Sequence, residues 1–246
     1  MKVLSSLLII FLFAYNNRSF AGPPFKTDDP IPVLYLHGEL YLFSTGIFDA
    51  SGANGVGPAL EFNYGILPNT QFHIVLPLSF SSPKHEPSQI GYGDTEIGVK
   101  FRFVKQTDIL PDIAVFPLVE IPTGNAAKGL GNGKAQVYLP LWLQKDFGKW
   151  TVYGGGGYWI NPGPGNKNWE FTGILIQYNF TDDFFLGTEL FHQTQSSLNS
   201  PNNTGLHFGG GLPIVKNYQI LFSADLGNGI TSYKHFSYYL GLYHTF

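Results

Sequence analysis

The sequence predicts an all-β protein: a transmembrane antiparallel up-and-down β-barrel of about twelve strands, preceded by a cleaved signal peptide. Three observations predict it. The segment His235 to Phe246 places Phe236, Tyr238, Leu240, Leu242 and Phe246 on one face, and Ser237, Tyr239, Gly241, Tyr243 and Thr245 on the other. Aromatic residues make up 16% of the chain and charged residues 13%, against roughly 25% charged in soluble domains. Long and short polar connections alternate between the apolar-patterned segments.

The chain opens with Met1-Lys2, an apolar run from Val3 to Ala14, the polar Asn16-Asn17-Arg18 and the small-residue exit Ser19-Phe20-Ala21. This is the three-part form of a signal peptide, too short to span a bilayer, with cleavage expected before Gly22. Its loss removes Lys2 and Arg18, taking the formal charge from −3 to −5. A mildly acidic chain with no basic stripe excludes nucleic acid as a partner. The chain has no cysteine, so neither a lipid anchor nor a disulfide framework is available. Residues 22–33 are expected to form a periplasmic segment, and 34–246 the barrel.

Alternation marks twelve strands near 34–44, 55–64, 70–80, 93–104, 112–121, 135–146, 149–160, 169–180, 183–194, 204–214, 218–227 and 235–246. Most match the ~9–11 residues of a tilted spanning strand. Ile66–Asn69, Phe147-Gly148, Thr181-Asp182 and Val215–Asn217 read as tight turns, with Lys105–Leu110 slightly longer. Asp49–Asn54, Ser81–Gly91, Pro122–Gly133, Asn161–Asn168, Gln195–Asn203 and Asn228–Lys234 read as longer loops. The expected order is long then short throughout, with both termini on the periplasmic side of a Gram-negative outer membrane. The segment 169–180 resists one register: Ile174, Ile176 and Phe180 want one face, Trp169 and Phe171 the other. A bulge near Gly173 would reconcile them.

Phe72, Ile74, Leu76 and Leu78 share a face, as do Ile97, Val99, Phe101 and Phe103, and Val137, Leu139, Leu141 and Leu143. In a barrel these face lipid, with Tyr35, Tyr64, Trp150, Tyr158, Tyr178 and Tyr218 as interfacial girdles. The opposite faces supply the lumen-lining candidates His37, Glu39, Glu61, Asn63, His73, Glu96, Lys100, Arg102, Glu120, Trp142, Glu189 and Asp225. A twelve-strand barrel lies between side-chain-filled and open sizes, so a narrow or partly plugged passage is expected. With more acids than bases in the set, conduction should favour cations or neutral solutes. Phe246 is the expected signal to the outer-membrane assembly machinery.

Several motifs together carry a family resemblance. They are Gly22-Pro23-Pro24-Phe25 with Thr27-Asp28-Asp29-Pro30, Glu61–Gly65, Gly93-Asp94 with Gly98–Phe103, and Pro122–Asn125. Leu139–Lys145, Gly154–Gly157 with Asn161–Gly163, and Gly187 with Glu189–His192 continue them. The chain resembles the MetA-pathway of phenol degradation family of outer-membrane transporters. The resemblance implies an outer-membrane channel with an association to aromatic compounds, and supplies no catalytic residues.

Other motifs carry less. Gly154–Gly157 sits inside a strand with no following helix, so it is not a nucleotide loop; it lets Trp142 and Trp159 pack across or bends the wall. Pro122–Asn125 and Asn161–Gly165 read as loop turns or as an infolded constriction. The seven histidines lack metal-site spacing, and no cofactor is expected. His192 with Ser196 and Ser197 invites comparison with lipid hydrolases, but no orienting third group is evident. The expected function is passive or facilitated passage of small solutes, hydrophobic or aromatic ones included. The alternatives are a non-conducting structural barrel and a lipid-modifying enzyme.

Overall fold

The computed structural model describes residues 23–225 and 235–246. The expected signal peptide lies outside the described residues, as do the loop Asn228–Lys234 and the end of the strand before it. The elements are β1 (Gly38–Asp49), β2 (Gly52–Leu67), β3 (Thr70–Pro83), β4 (Gln89–Tyr92), β5 (Thr95–Val104), β6 (Asp112–Val115) and β7 (Leu118–Ile121). There follow a 3-10 turn at Ala126–Lys128, then β8 (Gln136–Phe147), β9 (Trp150–Ile160), β10 (Trp169–Asn179), β11 (Phe185–Gln193), β12 (Asn203–Val215), β13 (Tyr218–Asp225) and β14 (His235–Thr245).

β4 and β5 both pair with β3, and β6 and β7 both pair with β5 and β8. Each of these two sets is one wall strand interrupted, so the wall has twelve antiparallel strands. Pro117 accounts for the second break, because it has no N–H to give the ladder. At the first, the Asp94 carboxylate accepts from Gly124 N at 2.9 Å and Asn132 N at 2.6 Å. The chain leaves the ladder there to hold the following loop. β1 and β14 pair from Glu39↔Thr245 to Asp49↔His235 and close the ring. Gly38 and Phe246 exchange backbone hydrogen bonds of 2.8 and 3.0 Å at its edge.

The alternation is inverted relative to a soluble barrel. Val99, Phe101, Phe103, Leu139, Leu141, Leu240 and Leu242 point outward and are exposed, while Gln71, His73, Lys100, Gln144 and Gln177 are buried inside. So regular an apolar outer surface suits lipid, not water. At the end carrying the termini, Trp150 and Tyr178 meet edge to face at 4.9 Å, and His244 stacks between Tyr218 and Phe246 at 4.2 and 5.6 Å. His244 interrupts the apolar face of β14, but in a belt of amphipathic rings of the kind found at an interface.

Three expectations need correction. Residues 34–37 lie outside the ladder, so the first strand begins at Gly38 and runs to Asp49. Asp49–Asn54 is not a long loop. Asp49 pairs with Gly52, and its carboxylate accepts from Ser51 N at 2.7 Å, giving an Asx turn. The strict alternation of long and short connections fails there. Small residues in Gly52–Gly57 extend the hairpin beyond the apolar band, where a strand has no reason to look greasy. Finally, β10 keeps one register with both neighbours and has no bulge at Gly173. Trp169, Phe171 and Leu175 simply face inward, against something the sequence reading placed elsewhere.

Candidate functional site

That something is the chain's own N-terminal segment. Residues 22–33 are expected in the periplasm, yet from Pro23 to Val33 the chain lies inside the ring of strands. The reason is a set of matched partners on the wall. Val33 N donates to Gln71 Oε1 at 2.9 Å where the segment enters. Deeper, Lys100 Nζ from β5 holds Asp28 Oδ1 at 3.1 Å and Asp29 Oδ2 at 3.2 Å. From β11, the Glu189 carboxylate accepts Lys26 N at 3.2 Å and Thr27 N at 2.5 Å. Ser223 Oγ on β13 donates to Pro24 O. Phe25 packs into a cluster with Tyr41, Tyr153, Leu175, Phe185 and Tyr243.

Two opposite wall charges therefore staple the segment: a cation on its carboxylates and an anion on its amides. Charge-assisted bonds of this kind are roughly twice as strong as neutral ones. Lys26 Nζ sits 4.2 Å from the Phe191 ring centroid. Burial lowers its pKa, against the upward pull of Glu189 and Asp225. Gly173 gives the segment room, since a Cβ there would stand 1.9 Å from Thr27 Oγ1. Gly173→Ala should cost about 1–3 kcal/mol by overpacking and loosen the segment. An unchanged unfolding midpoint together with unchanged protease resistance at residues 23–33 would remove Gly173 from this role.

Glu189 is itself oriented. His207 Nδ1 lies 2.9 Å from Glu189 Oε2, and His207 Nε2 lies 3.1 Å from Ser237 Oγ. The connectivity is that of a serine, histidine and acid triad. Its use differs: Ser237 is buried and Glu189 spends its oxygens on the segment's amides. The chain positions an anion. His192, weighed in the sequence for hydrolysis, has Nδ1 2.6 Å from Thr204 Oγ1 and, among the described residues, no serine partner.

Between the segment and the wall remains a cavity of about 360 Å³. It runs from Glu39 and Gln71 to Trp169 and Gln193, at the end of the long loops. One side is polar, and across it Asn63 Nδ2 donates to Glu61 Oε1 at 2.8 Å. That fixes the amide, so Asn63 Oδ1 faces His73 Nδ1 at 2.7 Å, and Nδ1 must carry a proton. His73 Nε2 meets Glu96 Oε1 at 2.8 Å, so one further proton is held between them. The other side is aromatic. Tyr138, Trp159 and Trp169 stack across β8, β9 and β10 with centroids 4.7 and 5.2 Å apart. Trp142 lies over Gly155, whose φ of +151° and close approach to Leu141 O exclude a side chain there.

Of the sequence candidates, Glu39, Glu61, Asn63, His73, Glu96, Lys100 and Trp142 come together around this cavity. Glu120 does not line it, although it stands opposite Glu96 across β5 and β7, and accepts from Gln136 Nε2 at 2.7 Å. Arg102 pairs with Asp112 at 3.1 Å at the opposite end. Glu189 and Asp225 are buried elsewhere in the lumen, Asp225 with His235 Nε2 at 2.7 Å. His37 stands exposed at the rim, Nδ1 3.0 Å from Tyr35 O, because it precedes the ladder. The sequence reading missed the segment itself, with His207 and Ser237. Its available signal was Thr27-Asp28-Asp29-Pro30, too polar and turn-rich for a strand, alongside one lysine in mid-strand.

No protein-family model matches the sequence, and no curated protein does. Among solved structures the fold is similar to an outer membrane channel from Pseudomonas putida F1. The TM-score is 0.67 at 16% identity, over 88% of this chain and 97% of that one. It is also similar to the KdgM porin in complex with disordered oligogalacturonate, with TM-score 0.59 and 9% identity over 85% and 99% of the two chains. The translocator domain of the autotransporter NalP from Neisseria meningitidis gives 0.52 at 12% identity, over 85% and 88%. At these identities the likeness is one of fold.

Proposed function

We propose that this protein is an outer-membrane channel for small solutes, with its N-terminal segment as a plug. The observation that carries the proposal is that the lumen is not packed solid. A cavity lined by carboxylates and aromatic rings remains beside a segment held by side chains, not woven into the sheet. Solute enters between the long loops, passes the aromatic side and leaves at the terminal end once the segment shifts. Glu61, Glu96, Lys100, Arg102 and Glu120 supply the charges along that path.

Membership of the phenol-degradation transporter family belongs to the same proposal, supported by the motifs quoted above. So does recognition of Phe246 by the assembly machinery, supported by its aromatic ring at the rim beside the closing seam.

Folded protein in planar bilayers tests the channel. Absence of discrete conductance, together with absence of solute flux into vesicles, would overturn it in favour of a structural barrel. If Glu61 and Glu96 line the path, Glu61→Gln and Glu96→Gln should each lower cation-over-anion selectivity. The reversal potential in a salt gradient is the measurement, and an unmoved potential in both variants would place the ionic path elsewhere.

A further inference from the structure

The cavity's charges do not balance. Asp28, Glu39, Glu61 and Glu96 line it, against Lys26 and Lys100. Lys100 is shared by Asp28 and Asp29, and His73 is held between Asn63 and Glu96. Glu39 accepts from the hydroxyls of Tyr41 at 2.9 Å and Tyr243 at 2.8 Å, with the Asn63 amide also beside it. Glu61 accepts from Asn63 and stands 3.6 Å from His73 Nδ1. Among the described residues neither carboxylate is paired with a lysine or arginine. The imidazole that approaches Glu61 at 3.6 Å is held more closely by Glu96 at 2.8 Å, and a buried carboxylate that must share its cation is costly.

The facing side has the complementary deficit. Trp142 is 1% exposed and, among the described residues, its Nε1 has no acceptor and the Tyr138 hydroxyl no partner. Both residues line the cavity. Ring faces in this lumen already accept cations: Lys100 Nζ lies 4.9 Å from the Phe116 centroid, as Lys26 does near Phe191. We propose that the cavity binds a small organic cation carrying an oxygen, an amino alcohol in chemical class. Its ammonium lies toward Glu39 and Glu61, and its oxygen accepts from Trp142 or Tyr138. The inference deepens the channel reading and rests on it for passage of the ligand, not for binding.

Three of the four tryptophans line the cavity, so intrinsic fluorescence of the folded full chain reports occupancy. Choline is titrated against its neutral isostere 3,3-dimethylbutan-1-ol and against potassium chloride at matched ionic strength. Saturable quenching by choline is expected, with Glu61→Gln raising its Kd about tenfold, as for loss of one charge contact. Glu39→Gln serves as the second variant should the first fail to show the heat-modifiable mobility of a folded barrel. Equal binding of the neutral alcohol, full competition by potassium, or an unchanged Kd in a folded variant overturns the proposal. Bilayer conductance of the same preparation separates the two readings. Choline binding without conductance defeats the channel alone; conductance without choline discrimination defeats the ligand alone.

Discussion

Deletion of residues 23–33 should convert a narrow, mostly closed lumen into one with several-fold larger single-channel conductance. Twelve strands enclose more space than wall side chains fill, since eight-stranded barrels are filled and those of 16–18 are open. Here the segment takes up the difference. It crosses the lumen from Gln71 through Lys100 to Glu189 and Ser223, touching strands on far sides of the ring. The barrel itself is closed by backbone pairing in which the segment takes no part, so the shortened chain should still fold. Heat-modifiable mobility checks folding before conductance is read. A folded deletion variant with unaltered conductance would show that the segment does not occlude the path.

Lys100→Met should be the most damaging single substitution in the lumen, costing about 3–5 kcal/mol, because it leaves carboxylates buried beside no cation. Lys100 contacts both Asp28 and Asp29, and the Asp29 side chain has no solvent exposure. The segment should therefore leave its seat. A chain without cysteine makes this measurable: Thr27→Cys supplies a single thiol, protected from maleimide in the parent and labelled quickly with Lys100→Met. Combining Lys100→Met with Asp28→Asn and Asp29→Asn should recover much of the lost stability, since removal of both partners relieves the orphaned charge. Should the combined variant be as unstable as Lys100→Met alone, the cost lies in packing, not in charge.

The wall was legible from sequence because lipid enforces a period of two. Val99, Phe101 and Phe103 can face only one way, and every spanning strand repeats that constraint. Legibility ended where the constraint did. Gly52–Asn54 is paired above the apolar band but consists of two small residues and an asparagine, and so read as loop. Phe171 and Trp169 read as lipid-facing aromatics in the wrong register, because ring chemistry is the same whether it meets acyl chains or a lumen filling. Glu189 and Lys100 were identifiable as inward charges on alternation alone. That each clasps a polypeptide, and not an ion or a solute, depends on residues more than 70 and 160 positions away. No local pattern encodes a contact of that span.

The seam between Gly38 and Phe246 has a further consequence. It closes only four residues after the chain has left the lumen, so this polypeptide holds its own leading segment within the ring that its last strand closes. Closing first would require charged Lys26, Asp28 and Asp29 to be pushed past Tyr41 and Tyr243 into a finished tube. Docking first lets those charges find Lys100 and Glu189 while the sheet is still an open trough and water still reaches them. The second order avoids stripping unpaired charges of their hydration. On that order the filling is seated before the two edges meet, and a chain that lacks it still closes through the same backbone pairing, around an emptier lumen.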